Sequence, residues 1–155
     1  MNAMNYAAQE GHLEILKWLH EKSITESDIY AGCTTRAMDN AAKYGYIEVI
    51  QWLHHNRTEG CSNYAMNWAA DSGHIDVPKW LHENRTEGCD QLAMTWAAQN
   101  GHLEIVKWLY KKSITDGNRY QVRIKDAIKY VCDVGHTDLI DVKSKIVKWL
   151  RDREN

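Results

Sequence analysis

Five segments of one pattern, AMNYAAQEGH, AMDNAAKYGY, AMNWAADSGH, AMTWAAQNGH and AIKYVCDVGH, begin at Ala3, Ala37, Ala65, Ala93 and Ala127. The intervals between them are 34, 28, 28 and 34 residues, and Gly11, Gly45, Gly73, Gly101 and Gly135 keep the same four. Two independent markers therefore agree on five units. A chain that copies a unit of this length is built by stacking, because each copy is one supersecondary element with a face it cannot bury alone.

Within the first unit, AMNYAAQE is rich in helix formers and ends at Gly11, the residue that most cheaply takes the left-handed conformation closing a helix. A second helix, LEILKWLHEK, follows at once. Winding the first helix at about 100° per residue puts Met4, Ala7 and Ala8 on one face and Tyr6, Gln9 and Glu10 on the other. On the second helix Leu13, Ile15, Leu16, Trp18 and Leu19 sweep well over half the circumference, leaving Glu14, Lys17 and Glu21 as a narrow polar stripe. Only neighbouring units can cover so wide an apolar arc. The expected fold is all-α: a helical-repeat solenoid of five helix-turn-helix units in one domain spanning residues 1–155.

The connectors HHNRTEGC (54–61) and HENRTEGC (82–89) differ at one position, and equal connectors set an equal pitch. Pro78 falls about one turn into its helix, where at most one hydrogen bond is lost. The 34-residue intervals carry six extra residues, in KSITESDIYAGCTTRAM and KSITDGNRYQVRIKDAI. In the second, Ile124, Ala127, Ile128 and Val131 keep helical spacing, which favours a first helix lengthened to start near Arg119; a longer loop is the alternative. Gly135 to Leu150 is 15 residues against 8 from Gly11 to Leu19, so the last unit, ending in charge, is expected to be a C-terminal cap. The N-terminal flank is expected to be poorly capped, so the chain is either a monomer or part of a longer array.

Charge excludes some partners. The formal net charge is −2, with no excess of basic residues to neutralise phosphates or dock on an anionic membrane, so neither nucleic acid nor membrane is an expected partner. The segment MNAMNYAAQEGH has no basic stretch followed by an apolar run, and no window approaches the length of a membrane span, so a cytoplasmic location is expected. Cys33, Cys61, Cys89 and Cys132 form no CxxC and are expected to be free thiols. Asn56-Arg57-Thr58 and Asn84-Arg85-Thr86 match the glycosylation pattern, which we read as a product of the duplicated connector.

AMNWAADSGHIDVPKWLHENRTEGC and AMTWAAQNGHLEIVKWLYKKS resemble the ankyrin repeat, whose helix-turn-helix carries an AA-x-x-GH-x-x-[IV]-[VL]-x-x-L core. The resemblance covers residues 3–150. Ala-Met stands where the usual first helix starts Thr-Pro-Leu-His, and the 28-residue units lack the Gly-Ala-Asp-x-Asn stretch that opens the usual hairpin finger. What the resemblance implies is the solenoid fold without projecting fingers, and a role in protein–protein interaction.

No phosphate-cradling glycine loop, HExxH zinc site, GxSxG elbow or EF-hand loop occurs, and the chain is expected to be no enzyme and to carry no cofactor or metal. His12, His74, His102 and His136 repeat at one place in the turn, but units stacked about 8–10 Å apart hold successive imidazoles too far apart to share a zinc at about 2 Å. They are expected to bond neighbouring backbone instead. Trp18, Trp52, Trp80, Trp108 and Trp149 recur in the second helix and read as packing between units.

A second row, Tyr6, Asn40, Trp68, Trp96 and Tyr130, shares the outer face of the first helices with Gln9, Lys43, Asp71, Gln99 and Asp133. Two readings stand: the row packs between adjacent first helices, or it is open and supplies aromatic anchors to a protein partner, with Tyr44, Asp71, Ser72, Gln99 and Asn100 tuning specificity. The leading expectation is a non-enzymatic module binding a protein along this face. The alternative is a structural segment or cap of a larger scaffold, with no ligand of its own.

Overall fold

The computed structural model describes residues 2–25, 32–116, 123–133 and 140–153. Among them, helices follow in pairs: α1 (Ala3–Gln9) with α2 (Leu13–Thr25), α3 (Thr35–Lys43) with α4 (Ile47–Asn56), and α5 (Asn63–Ser72) with α6 (Asp76–Asn84). Then come α7 (Gln91–Gln99) with α8 (Leu103–Thr115) and α9 (Ile124–Asp133) with α10 (Ile140–Arg151). The first helices α1, α3, α5, α7 and α9 touch in that order, and each second helix packs on its own partner. This is the stacked all-α solenoid the periodicity requires.

The packing follows from side-chain size. Met4, Met38, Met66 and Met94 are buried, as are the pairs Ala7–Ala8, Ala41–Ala42, Ala69–Ala70 and Ala97–Ala98. Paired alanines let neighbouring first helices approach closely, and the long methionines fill the space between first and second helices. From the second helices Leu16, Ile50, Leu53, Val77, Leu81, Val106 and Leu109 complete the core.

The side chain after each of those first three methionines is polar and buried, and each reaches the next unit. Asn5 Oδ1 accepts from Thr34 N (3.1 Å), and Asn5 Nδ2 donates to Thr34 Oγ1 (2.9 Å). Asp39 accepts from both Ser62 N and Ser62 Oγ (2.8 Å each), and Asn67 Oδ1 accepts from Asp90 N (3.3 Å). Thr34, Ser62 and Asp90 in turn cap α3, α5 and α7 by accepting from Arg36 N, Tyr64 N and Leu92 N. Each cap is thereby tied to the unit before it, so the start of one helix is fixed by the body of another.

The duplicated connectors stack on each other. In each, the arginine pairs with the glutamate two residues on, Arg57 with Glu59 and Arg85 with Glu87. A Cβ at Gly60 would run into the Arg85 guanidinium, so the glycine of one connector makes room for the ion pair of the next. Burial pushes the Cys61 and Cys89 thiols in these connectors up to about 12, which leaves them unreactive packing groups.

Pro78 costs no acceptor: the His74 carbonyl that its missing amide would have bonded accepts from Val77 N at 3.1 Å. The 34-residue intervals differ from expectation. The helix lengthened next to each insertion is the second helix before it: α2 and α8 run 13 residues through Thr25 and Thr115, against 10 for α4 and 9 for α6. In the short units Asn56 Nδ2 and Asn84 Nδ2 fold back to bond the Trp52 and Trp80 carbonyls, and Arg57 and Arg85 turn extended, ending the helix. Lys-Ser-Ile-Thr has no such stop. Helix α9 is described from Ile124, and Ile124, Ala127, Ile128 and Val131 lie within it; the expected start near Arg119 is outside the described residues. The cap's first residues, with Gly135 and His136, are also outside them.

Four of the five Trp-Leu tryptophans join units edge to face. His20 meets Trp52 (centroids 5.3 Å apart), His54 meets Trp80 (5.2 Å), His82 meets Trp108 (5.8 Å) and Tyr110 meets Trp149 (5.3 Å). The partner is always the residue two after the tryptophan of the preceding unit. Desolvation, with Arg85 and His55 adding to it, holds the His54 pKa below its ordinary 6.5. The unfolded chain therefore binds this proton more readily, and stability is lost as pH falls below 6.5 through the native value. Tyr110 fills the equivalent place in the fourth unit, so His54→Tyr should keep the ring contact and flatten the fall in melting temperature between about pH 7 and 5. Thermal unfolding followed by circular dichroism at both ends of that range checks this; an unchanged slope would acquit His54.

Candidate partner-binding face

Small residues on one side of each first helix are spent on the core, so the opposite side faces outward. Tyr6 is 52% exposed and Tyr44 44%, while Trp68 and Trp96 are half-buried. Among the described residues no ring contact joins Tyr6, Trp68 and Trp96 to one another. The ring contact of Trp68 is with Tyr64, one turn earlier on the same helix, at 5.2 Å. Lys43 Nζ lies 5.9 Å from the Trp68 ring and 5.5 Å from that of Tyr44, within cation–π reach of both.

Several of the expected polar contacts are engaged between units. Asn40 Nδ2 donates to Gln9 Oε1 (3.2 Å), joining α1 to α3. Asn100 Nδ2 donates to Asp71 Oδ1 (2.7 Å) and to the Asp71 carbonyl (3.0 Å). The turn histidine His102 bonds that same carbonyl through Nε2 at 3.0 Å. Asp71 and Asn100 therefore hold units together as well as facing solvent. Ser72 is exposed and Gln99 half-buried. The side chains of Tyr130 and Asp133 lie outside the described residues.

Three side chains on this face escaped the sequence reading: Arg36, Tyr64 and Leu92. They stand four residues before Asn40, Trp68 and Trp96, on the same helical stripe, and the i, i+4 spacing was the signal available. Tyr64 is 44% exposed, Arg36 is exposed, and Leu92 is half-buried. Arg36 has no ion-pair or side-chain hydrogen-bond partner among the described residues, and it borders a cavity of about 810 Å³ that opens between α1, α3 and Trp68.

Among the described residues no three His, Cys, Asp or Glu side chains gather where they could hold a metal, and Cys33, Cys61 and Cys89 are free thiols. No helix among them is long and apolar enough to cross a membrane.

A family model of ankyrin repeats in three copies matches residues 38–121, and a second, of ankyrin repeats in many copies, matches residues 4–54. No curated protein matches the chain. Paired helices closed by glycine turns, first helices in contact from unit to unit, and a family match over more than half of the sequence agree: the chain belongs to the ankyrin-repeat family, whose members are typically non-enzymatic protein–protein interaction modules.

Proposed function

We propose that this chain binds a protein partner along the outer face of its first helices, without catalysis. The supporting observation is the concentration of large rings on one face, Tyr6, Tyr44 and Tyr64 exposed and Trp68 and Trp96 half-buried, beside variable polar groups. Large rigid side chains surrounded by adjustable contacts carry most of the binding energy in protein interfaces. Around these anchors, Gln9, Lys43, Asp71, Ser72, Gln99 and Asn100 set specificity, and Tyr130 and Asp133 extend the rows into the fifth unit.

The test is capture of a partner from extract by the wild-type chain and by Trp68→Ala/Trp96→Ala, with Tyr64→Ala as an exposed single substitution. The expected result is a fall in capture of about tenfold or more with helicity retained. Loss of stability in the double variant together with wild-type capture by Tyr64→Ala would assign these rings to packing and remove the proposal.

A second reading, that the chain is a segment of a larger repeat scaffold, is favoured by Ile15, which is 50% exposed. Its counterparts Val49, Val77 and Ile105 are buried, at 2% exposure or less.

A further inference from the structure

The row three residues after each unit's first alanine runs Tyr6, Asn40, Trp68 and Trp96, so its one short polar member stands between large rings. The hollow that opens beside it, about 810 Å³, is walled by Asn2, Gln9, Thr35, Arg36, Asn40 and Trp68. Its one charged wall among the described residues is cationic. It offers a guanidinium together with amides and hydroxyls that can donate or accept, and among the described residues no carboxylate lines it. Asp39, the acid of α3, is turned away into the core, where Ser62 satisfies both its oxygens. Asp71, the acid of α5 on this face, bonds Asn100. Arg36 and Lys43 stand two turns apart on the outer side of α3, and the guanidinium of Arg36 has no acceptor among the described residues.

A cation with no counter-ion among the described residues, beside amides and the face of an indole, is complementary to a carboxylate that arrives with an apolar neighbour. We infer that the gap at Asn40 is a subsite for a protein segment presenting an Asp or Glu side chain next to an apolar residue, the carboxylate meeting Arg36 and Asn40 and the apolar group resting on Trp68. The inference rests on the proposal that this face binds a protein. It names the chemistry of the segment that lies across α1, α3 and α5.

The experiment is selection from a random dodecapeptide display library on the full chain. The enriched peptides are then measured against Arg36→Gln and against Trp68→Ala/Trp96→Ala by fluorescence anisotropy. Arg36 is exposed, so its replacement leaves the fold intact, as circular dichroism would verify. The expected result is enrichment of acidic residues adjacent to apolar ones, with binding weakened about tenfold by Arg36→Gln and weakened in wild type by added salt. Enriched peptides that depend on the tryptophans but show no acidic excess, or that bind Arg36→Gln as well as wild type, would overturn the subsite and leave the binding face standing. Peptides indifferent to the tryptophans would overturn both.

Discussion

Gly73→Val is expected to lower the unfolding free energy by about 3 kcal/mol, more than any substitution on the outer face. Gly73 closes α5 at φ 84°, ψ 11°, a left-handed backbone in which a β-branched side chain is strained before any neighbour is considered. The neighbour makes it worse. A Cβ at this position would lie 2.6 Å from Cε1 and 2.9 Å from Nδ1 of His102. That ring cannot swing aside freely, because its Nε2 is bonded to the Asp71 carbonyl of the preceding unit. Gly11 is a graded control: the ring facing it, that of Tyr46, comes within 2.9 Å but is held by no side-chain hydrogen bond among the described residues. Gly11→Ala should therefore cost nearer 1 kcal/mol, most of it the backbone term.

Urea unfolding checks the pair, with midpoints read at constant slope. Because each unit leans only on its neighbours, the Gly73→Val lesion should also speed amide exchange in α5 and α7 ahead of α1. A loss below about 1 kcal/mol for Gly73→Val would mean that the His102 ring is not a fixed part of the joint between the third and fourth units.

The solenoid was legible because two signals were redundant: the glycine markers fix the number of units, and the width of the apolar arc on LEILKWLHEK requires neighbours on both flanks. The role of Trp52, Trp80, Trp108 and Trp149 between units was legible for the same reason, but their ring partners were not. His20, His54 and His82 read as ordinary polar residues near a helix end until the stacking brings each against the following tryptophan. Asn5, Asp39 and Asn67 escaped similarly. A polar residue between the core methionine and the outer row sits at the edge of the predicted stripe, and only the offset between units shows that it reaches the next helix cap. The end of α2, read at Lys22, was misplaced because apolar spacing marks where a helix has a buried face, whereas the stop in the short units is set by Asn56 and Asn84 turning back on carbonyls of their own helices. On the candidate face, the spacing identified the rows; which polar members bond each other, as Asp71 and Asn100 do, depends on the neighbouring unit's position.

Asp39 offers the sharpest test of the ties between units, since the repeat itself supplies the conservative replacement. Asp39→Ala removes both acceptors of Ser62 and leaves its amide and hydroxyl unpaired in a part-buried joint, for an expected loss of about 2–3 kcal/mol. Asp39→Asn keeps the geometry that Asn5 shows with Thr34, one oxygen accepting from the backbone amide and one N–H donating to the hydroxyl. It is expected to stay within about 1 kcal/mol of wild type at neutral pH. The two differ from wild type in their response to acid. Burial raises the Asp39 pKa above 3.8, outweighing the Ser62 bonds that lower it, so the folded state holds this proton more tightly than the unfolded chain. The cost of its charge is carried in full above the raised native value and is relieved as pH falls from there toward 3.8. Glu59 and Glu87 act in the opposite sense: Arg57 holds Glu59 below 4.5, and at Glu87 burial, which raises the pKa, is outweighed by Arg85 and backbone amides, so their contribution is present above 4.5 and is lost as pH falls through the native values. Both variants retain those glutamates, so subtracting either from wild type leaves the effect of the Asp39 charge, its repulsion from Glu87 included. Urea midpoints at pH 7 and near pH 4 should show wild type gaining on Asp39→Asn as acid is added. If the difference between them stays constant across that range, the carboxylate of Asp39 is as well solvated in the stack as in the unfolded chain, and its two bonds to Ser62 are not a buried tie.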